Sequence, residues 1–320
     1  MDDPIESLPA ADAQTANTPR RSGMEVRPTT PARQRLKDLL DKHELIIAPG
    51  VFDGISAHLT KRTGHVAAYL TGAGVAASGF GLPDIGLVTA SEMAERARMI
   101  VDALGDLPLI ADADTGYGAP MNVVRTVRAY GAAGVAAIQL EDQVFPKRCG
   151  HLPDKQVVDA AVFEQALAAA LDARSDDGLL VVARTDARAP LGLDAAIERA
   201  NRYAQAGADI IFVEAPQDTG EIERIAREVE APLLINLVLG GMTPLESASR
   251  LQELGYAIAI HPGNLLTQAT FGMLQSLCEL NGSDIAAQLP TKPADFFNLV
   301  GMAEWLELDT KYARKDPSWA

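Results

Sequence analysis

One pattern recurs along this 320-residue chain and limits the folds available to it: a short apolar run, a loop with polar residues, and a segment of helical periodicity. Runs that are apolar at every position indicate strands buried on both faces, which are typical of parallel sheets covered by helices. Eight such strands predict an α/β fold of the closed (β/α)8 TIM-barrel type, because open sheets usually contain fewer. The runs are residues 45–48, 67–70, 107–111, 135–140, 179–183, 209–213, 233–237 and 258–260.

The ends of the chain do not share this pattern. Residues 1–31 lack apolar periodicity and mix Pro, Thr, Asp and paired arginines, which predicts a disordered leader. The barrel is expected over residues 32–285, since a barrel of this type uses roughly 250 residues as one domain. Residues 286–320 place aromatic and aliphatic side chains at helical spacing and predict a C-terminal helical extension. The apolar stripe of that helix needs a partner surface, within the subunit or on a neighbouring one.

Composition and charge exclude several classes of function. The chain has 28 Lys plus Arg against 43 Asp plus Glu, a net charge of −15, which argues against nucleic acid or an anionic membrane as a partner. Cys149 and Cys278 lie far apart and form no metal-ligand spacing, so a reducing cytoplasm is expected, with Cys278 in the core. No apolar run reaches membrane-spanning length. A small anionic substrate remains compatible with this charge where basic side chains converge.

Two carboxylates stand at the end of the third apolar run. Asp112 and Asp114 are two residues apart, so a strand projects both side chains the same way. Like charges that close repel each other, and a divalent cation bound through oxygen would neutralise them. The same spacing also fits a solvated pair, or a turn in which aspartate makes local hydrogen bonds. The pair itself leaves these interpretations open.

Polar residues also follow most of the other runs, at the points where strands would end. Active sites of such barrels form at the ends of the strands and in the loops that follow them. Any one of these residues could be a cap or part of a structural ion pair. Together they predict a rim of acids with one arginine, which a cation and an anionic ligand would complete. These residues are 71–74, Glu141, Asp142, Arg184, Asp186, Glu214, Asn236 and His261.

The loop after the fourth run carries a thiol among cations. Lys147 and Arg148 precede Cys149, and Gly150 and His151 follow it. Nearby positive charge lowers the pKa of a thiol, so Cys149 is expected to exchange its proton readily near neutral pH. The alternative is an ordinary exposed basic loop with an incidental cysteine.

Five segments together carry a resemblance to a known family. Residues 69–74, 81–84, 112–118, 140–142 and 147–151 resemble the isocitrate lyase and phosphoenolpyruvate mutase superfamily, in a match from about residue 49 to the C-terminus. The cysteine in the Lys-Arg-Cys-Gly-His loop resembles the carbon–carbon lyases of that group, such as 2-methylisocitrate lyase and dimethylmalate lyase. The phosphorus–carbon mutase and hydrolase branches and the oxaloacetate decarboxylases generally lack it.

The resemblance implies a Mg²⁺ site, with Mn²⁺ as the alternative ion, and a role for each rim residue. Asp112 and Asp114 would hold the metal, with Glu141 and Asp84 nearby, directly or through water. Arg184 would pair with the carboxylate of the substrate, and Tyr69 would lie near the reacting oxygen. The implied substrate-binding residues are Thr71, Gly72, Ala73, Lys147, Arg148, Gly150, Glu214 and Asn236, and the implied catalytic residues are Cys149, Arg184, Tyr69 and His151.

The implied activity is cleavage of a carbon–carbon bond in a 2-hydroxy di- or tricarboxylate of the 2-methylisocitrate or 2-alkylmalate type. The products would be a 2-oxo acid such as pyruvate and a second carboxylate, with Cys149 as the proton donor. The alternatives are a phosphonopyruvate-type phosphorus–carbon mutase or hydrolase, an oxaloacetate decarboxylase, and a non-catalytic barrel that binds oxo acids. The resemblance also implies a homotetramer in which neighbouring subunits exchange their C-terminal helices.

Three positions depart from the pattern of the lyases. Leu239 stands where glutamate is usual, and Ala257 and Thr267 stand where arginine is common. We expect these changes to alter the rim at the seventh and eighth strands. A third carboxylate, as in 2-methylisocitrate, would then lack its usual partners.

Overall fold

Eight parallel strands form a closed barrel in the computed structural model, which describes residues 30–147, 155–174, 178–283 and 293–312. The strands pair in sequence order, and the eighth strand pairs with the first to close the sheet. Every predicted apolar run overlaps one strand, so the (β/α)8 prediction is confirmed. The strands are β1 (Ile46–Val51), β2 (Ala68–Leu70), β3 (Leu109–Asp112), β4 (Ala137–Glu141), β5 (Leu180–Thr185), β6 (Ile210–Val213), β7 (Leu233–Asn236) and β8 (Ile258–His261).

Helices cover the outside of the barrel, and local sequence fixes several of their ends. Asp53 and Thr89 form capping boxes at the starts of the helices Gly54–Arg62 and Ala90–Leu104, and Gly134 ends the helix Pro120–Ala133 in the left-handed conformation (φ 90°). The helices are α1 (Pro31–Leu40), α2 (Gly54–Arg62), α3 (Gly72–Val75), which a π-helical turn (Ala76–Phe80) follows, α4 (Ala90–Leu104), α5 (Pro120–Ala133), α6 (Ala160–Ala173), α7 (Arg188–Leu191), α8 (Leu193–Gln205), α9 (Thr219–Glu228), α10 (Ala248–Leu254), α11 (Asn264–Asn281), α12 (Pro293–Asn298) and α13 (Met302–Tyr312).

The first helix closes the end of the barrel where the strands begin. Leu36 of α1 is fully buried and packs with Ile46 and Ile258, the first residues of β1 and β8. Arg33 anchors the same helix, because its Nε donates to the carbonyl of Val135 (2.8 Å) and its Nη2 to that of Gly131 (2.7 Å). With this end covered, the opposite end is left for the polar side chains that follow the strands.

One placement made from the sequence is wrong. Ala257 was expected at the rim, but it directly precedes β8, and its carbonyl accepts the N–H of Ile46 (2.9 Å). It packs, partly buried, against the interior cluster beside α1. The rim is built by residues that follow a strand, so Ala257 lies at the opposite end of the barrel. Leu239, in contrast, is exposed in the loop after β7, and Thr267 lies in α11.

Three further observations concern the helices. Cys278 is buried in α11, as predicted. Among the helices of the described ranges, none has both the length and the apolar character needed to cross a membrane. The C-terminal extension is helical in α12 and α13, and exchange of these helices between subunits stays a prediction.

Candidate active site

The carboxyl ends of β2 and β3 bring together the start of α3 and the aspartate pair. Asp112 is the last residue of β3, and its Oδ2 accepts the N–H of Gly72 (3.3 Å). A Cβ at residue 72 would lie 2.7 Å from this oxygen, so a larger residue here would displace the carboxylate. Asp114 has a left-handed backbone (φ 47°), and its N–H donates to Asp112 Oδ1 (3.1 Å). The two carboxylates therefore face the same mouth of the barrel.

A buried ammonium lies between two of the predicted metal ligands. Lys147 is 4% exposed; its Nζ lies 2.9 Å from Asp114 Oδ1 and donates to Asp84, which is also buried. Burial raises the pKa of Asp114 to about 7, an effect that Lys147 opposes and Asp112 and Asp84 reinforce. Burial alone would lower the pKa of Lys147, but Asp114 and Asp84 hold it well above its ordinary value. The acids thus carry more negative charge than this single ammonium balances.

Glu141 extends this acid cluster from the end of β4. Its Oε2 lies 3.2 Å from Arg184 Nε, whereas its Oε1 is buried and has no hydrogen-bond partner among the residues that the structure describes. Burial raises the pKa of Glu141 well above its usual range, and Arg184 offsets only part of that rise. A buried oxygen of this kind is costly unless a cation, a proton or a water reaches it.

The donor set fits Mg²⁺. Every candidate ligand is a carboxylate, the kind of oxygen donor that this ion prefers, and a small cavity adjoins Asp84 and Asp114. In the part of the chain that the structure describes, no three acid, histidine or cysteine side chains converge closely enough to hold a metal alone. Mg²⁺ usually takes one or two protein carboxylates and completes its shell with water and substrate.

Arg184 of β5 forms the other side of the mouth. Its guanidinium makes two bonds to Asp186, from Nε to Oδ2 (2.8 Å) and from Nη2 to Oδ1 (3.0 Å). Nη2 lies 3.8 Å from Glu214 Oε1, and Cζ lies 5.1 Å from the centre of the Phe212 ring. Burial alone would lower the pKa of Arg184, but Asp186 and Glu141 hold it well above its ordinary value. Arg184 is thus a buried, permanently charged group at the mouth of the barrel.

Tyr69 lies below the aspartates, inside the barrel. Its hydroxyl donates to Gln139 Oε1 (3.0 Å), and Gln139 Nε2 donates to Asp112 Oδ1 (3.3 Å). Burial raises the pKa of Tyr69 well above its ordinary value, and Asp112 adds to the rise, so the phenol keeps its proton. Gln139 was not predicted from the sequence. Its signal was a polar residue in the middle of an otherwise apolar strand.

The remaining predicted residues divide into described and undescribed ones. Thr71 is buried and caps α3, its Oγ1 accepting the N–H of Gly74 (3.1 Å), and Ala73 follows within that helix. Asn236 Nδ2 lies 3.4 Å from both carboxylate oxygens of Glu214, which joins the ends of β6 and β7. The predicted residues Arg148, Cys149, Gly150 and His151 lie outside the described residues.

Lys155 is a site residue that the sequence did not indicate. Its side chain is buried, and its Nζ donates to Asp186 Oδ1 (2.8 Å). A lysine in a polar loop normally lies on the surface, so neither spacing nor composition predicts this contact.

Comparison with known proteins covers most of the chain. Residues 36–280 match the family model described as phosphoenolpyruvate phosphomutase. The 2,3-dimethylmalate lyase of Eubacterium barkeri is 42% identical to this chain over 87% of it and 97% of the relative. The 2-methylisocitrate lyase of Aeropyrum pernix is 41% identical over 88% of this chain and 91% of the relative.

Solved structures match the same barrel. Oxaloacetate acetylhydrolase in complex with the inhibitor 3,3-difluorooxalacetate has a TM-score of 0.77 at 34% identity, over 89% of this chain and 98% of that one. Phosphonopyruvate hydrolase in complex with oxalate and Mg²⁺ has a TM-score of 0.67 at 27% identity, over 88% of this chain and 99% of that one. Both complexes contain a small carboxylate ligand.

Proposed function

The chain belongs to the isocitrate lyase and phosphoenolpyruvate mutase superfamily, and we propose that it is a carbon–carbon lyase acting on a 2-hydroxy di- or tricarboxylate of the 2-methylisocitrate or 2-alkylmalate type. The products would be a 2-oxo acid such as pyruvate and a second carboxylate. The observation that carries the proposal is the acid cluster at Asp112 and Asp114 facing the same mouth as the buried guanidinium of Arg184. The two related lyases support this choice of reaction.

The acid cluster would hold Mg²⁺, or Mn²⁺ as the alternative ion, through Asp112 and Asp114, with Glu141 and Asp84 nearby. When bound, the ion lowers the pKa of the substrate hydroxyl and stabilises negative charge on its oxygens. Three observations support this assignment: the excess of buried negative charge, the Oε1 of Glu141 that has no hydrogen-bond partner within the described ranges, and the Mg²⁺ in the related hydrolase complex.

The residues of the chain would then divide the substrate between them. Arg184 would pair with the carboxylate of the oxo-acid half, which would lie against α3 at Thr71, Gly72 and Ala73. Tyr69, which keeps its proton, would lie below the reacting oxygen. The second fragment would be held beside Arg184, at Glu214 and Asn236.

The loop after β4 would supply the proton. The substrate hydroxyl would lose its proton to water, and its O–H electrons would form the carbonyl of the 2-oxo acid as the C2–C3 bond breaks. The electrons of the C2–C3 bond would stay on the departing carboxylate fragment, and Cys149 would protonate that carbon. Substrate binding in the same segment would involve Lys147, Arg148 and Gly150, and His151 would take part in catalysis. Closure of the loop over the substrate would exclude water.

The assembly proposed with this function is a cytoplasmic homotetramer. Leu306, Leu308 and Tyr312 of α13 expose apolar surface that a neighbouring subunit would cover. Size-exclusion chromatography with light scattering tests the tetramer, and a monomeric mass would refute it.

A panel of substrates tests the reaction. Release of 2-oxo acid is measured with and without Mg²⁺ on 2-methylisocitrate, isocitrate, 2,3-dimethylmalate and citramalate, with oxaloacetate and phosphonopyruvate for comparison. Turnover confined to the hydroxy acids is expected, whereas turnover of phosphonopyruvate or oxaloacetate alone would select one of the alternative enzymes. Binding of Mg²⁺ and oxo acid without any turnover would select the non-catalytic barrel.

A pair of cysteine variants tests the proton donor. Cys149→Ala is expected to abolish cleavage while oxo-acid binding stays measurable. Cys278→Ala, which removes the other thiol from the buried face of α11, is the matched control and should keep its activity. Full turnover by Cys149→Ala would exclude this thiol as the acid.

A further inference from the structure

We propose that Asp186 and Lys155 are positioning residues for the proposed reaction: their buried ion pair fixes the guanidinium of Arg184 and leaves its charge available to the substrate. This inference rests on the proposed function, in which Arg184 binds the carboxylate of the oxo-acid half. Neither residue is expected to touch the substrate.

Asp186 holds Arg184 at two points. Its Oδ2 accepts Arg184 Nε (2.8 Å) and its Oδ1 accepts Nη2 (3.0 Å), and both side chains are buried. A two-point contact between a carboxylate and a guanidinium fixes the plane of the arginine head as well as its distance. Because both residues lie at the end of β5, this contact sets where the remaining N–H groups of Arg184 point.

Lys155 changes the charge of that contact. If Asp186 were paired with Arg184 only, the carboxylate would neutralise the guanidinium, and the arginine would bind an anionic ligand more weakly. Lys155 Nζ also donates to Asp186 Oδ1 (2.8 Å), so one carboxylate is shared by two cations and neutralises Arg184 less completely. Glu141 and Glu214 lie farther from the guanidinium, at 3.2 and 3.8 Å. The lowered pKa of Asp186, which Arg184 and Lys155 produce against the effect of burial, agrees with a permanently ionised carboxylate.

A second buried carboxylate holds this group in place. Asp142 Oδ1 accepts the N–H of Asp186 (2.9 Å), and its Oδ2 accepts the hydroxyls of Thr185 and Tyr203 (both 2.8 Å). The main-chain carbonyl of Asp142 accepts the N–H of Val158 (2.9 Å), which fixes the segment that carries Lys155. Asp186 and Lys155 are therefore both anchored to Asp142, independently of any ligand.

The test separates positioning from stability by measuring oxalate affinity with Mg²⁺ present, KM, kcat and the midpoint of thermal unfolding, Tm. Asp186→Asn breaks the two-point contact, and Lys155→Met removes the charge but keeps most of the stem. Both are expected to weaken oxalate binding and raise KM about tenfold or more, with a smaller change in kcat, because a hydrogen bond to a charged group is lost in each. Lys155→Arg keeps the charge and should retain most of the affinity.

The matched control lies at the other end of the barrel. Asp209, just before β6, pairs with Arg174 (2.6 Å) and accepts the N–H of Val181 (2.8 Å). Asp209→Asn should lower the Tm without changing oxalate affinity. If Asp186→Asn does not fold, the comparison of Lys155→Met with Lys155→Arg still decides the matter.

A double-mutant cycle decides whether Asp186 acts through Arg184. In an Arg184→Gln background, Asp186→Asn should weaken oxalate no further than about twofold. If Asp186→Asn lowers oxalate affinity equally in the wild-type and Arg184→Gln backgrounds, the positioning role is overturned. It is also overturned if Arg184→Gln weakens oxalate binding but Asp186→Asn and Lys155→Met leave it unchanged. Unchanged affinity in Arg184→Gln would instead refute the proposed function of Arg184, and the positioning role with it.

Discussion

Replacing Lys147 with methionine tests how the acid cluster is balanced in the metal-free protein. The Nζ of Lys147 lies 2.9 Å from Asp114 Oδ1 and contacts Asp84, with all three side chains buried. Methionine keeps most of the stem, so the main loss is the charge. Removing one partner of a buried ion pair costs about 3–5 kcal/mol of unfolding free energy. At about 2–4 °C per kcal/mol, the Tm in EDTA should fall by about 6–20 °C.

A proton or Mg²⁺ can take the place of the ammonium, which sets the conditions of the measurement. The pKa of Asp114 is about 7 even beside Lys147, and loss of the lysine removes an effect that lowers it. The folded variant then binds more protons than the unfolded chain, whose aspartates titrate near a pKa of about 3.9. Its stability therefore falls as the pH rises, and the difference from wild type should be larger at about pH 8.5 than at about pH 6.

Thermal unfolding with EDTA and with saturating MgCl₂, at both pH values, measures these effects. Mg²⁺ should raise the Tm of Lys147→Met more than that of wild type, because the ion then displaces no ammonium. Lys61→Met, at an exposed position of α2, is the control and should shift the Tm by less than about 2 °C. Equal Tm values for Lys147→Met and wild type in EDTA at about pH 8.5 would refute the claim that the ammonium of Lys147 stabilises the metal-free acid cluster.

Three further substitutions test the metal site and the two ends of the barrel. Asp112→Asn should remove the Mg²⁺-dependent rise in Tm; a rise of wild-type size would show that the ion binds elsewhere. Leu36→Ala should cost about 2–5 kcal/mol in denaturant unfolding because this side chain is fully buried, yet KM should change less than about twofold because the mouth lies at the other end. Burial lowers the pKa of His261 below its ordinary 6.5, and His65 adds to this effect. Between the lowered pKa and 6.5, the folded state binds fewer protons than the unfolded chain. The wild-type protein therefore loses stability as the pH falls through this range. His261→Asn should abolish this loss, and identical stability–pH profiles would contradict the assignment.

The barrel could be predicted because parallel strands buried on both faces leave a plain signal in the sequence. A run of apolar residues such as 179–183 indicates a buried strand even though apolar and polar residues do not alternate in it. The glycines and capping residues between the runs mark the ends of the helices. The boundaries were less certain than the elements. The third apolar run ends at Ala111, whereas β3 includes Asp112 as its last residue.

The residues of the rim could be predicted, but not how they pair. Strand order brings Asp112, Glu141 and Arg184 to one mouth, and the closed barrel follows from the pattern. Lys147 pairs with Asp114, and Lys155 pairs with Asp186. Neither pair could be predicted, because composition and spacing do not show where the lysines between β4 and α6 are buried. The position of Ala257 was predicted wrongly for a related reason: the sequence does not fix the first and last residues of β8, and Ala257 precedes the strand.

The charges of the mouth predict that metal and carboxylate bind cooperatively. Asp84, Asp112 and Asp114 face one ammonium, and Arg184, which shares Asp186 with Lys155, also lies near Glu141 and Glu214, so acids outnumber cations across the mouth. This excess of negative charge repels an anionic ligand at low dielectric, and a bound cation would reduce that repulsion. Oxalate should therefore tighten Mg²⁺ binding, and Mg²⁺ should tighten oxalate binding by the same factor, because coupling between two sites is reciprocal. Titration calorimetry of each ligand with and without the other measures that factor. Equal Mg²⁺ affinities in both titrations would show that the two sides of the mouth are electrostatically independent.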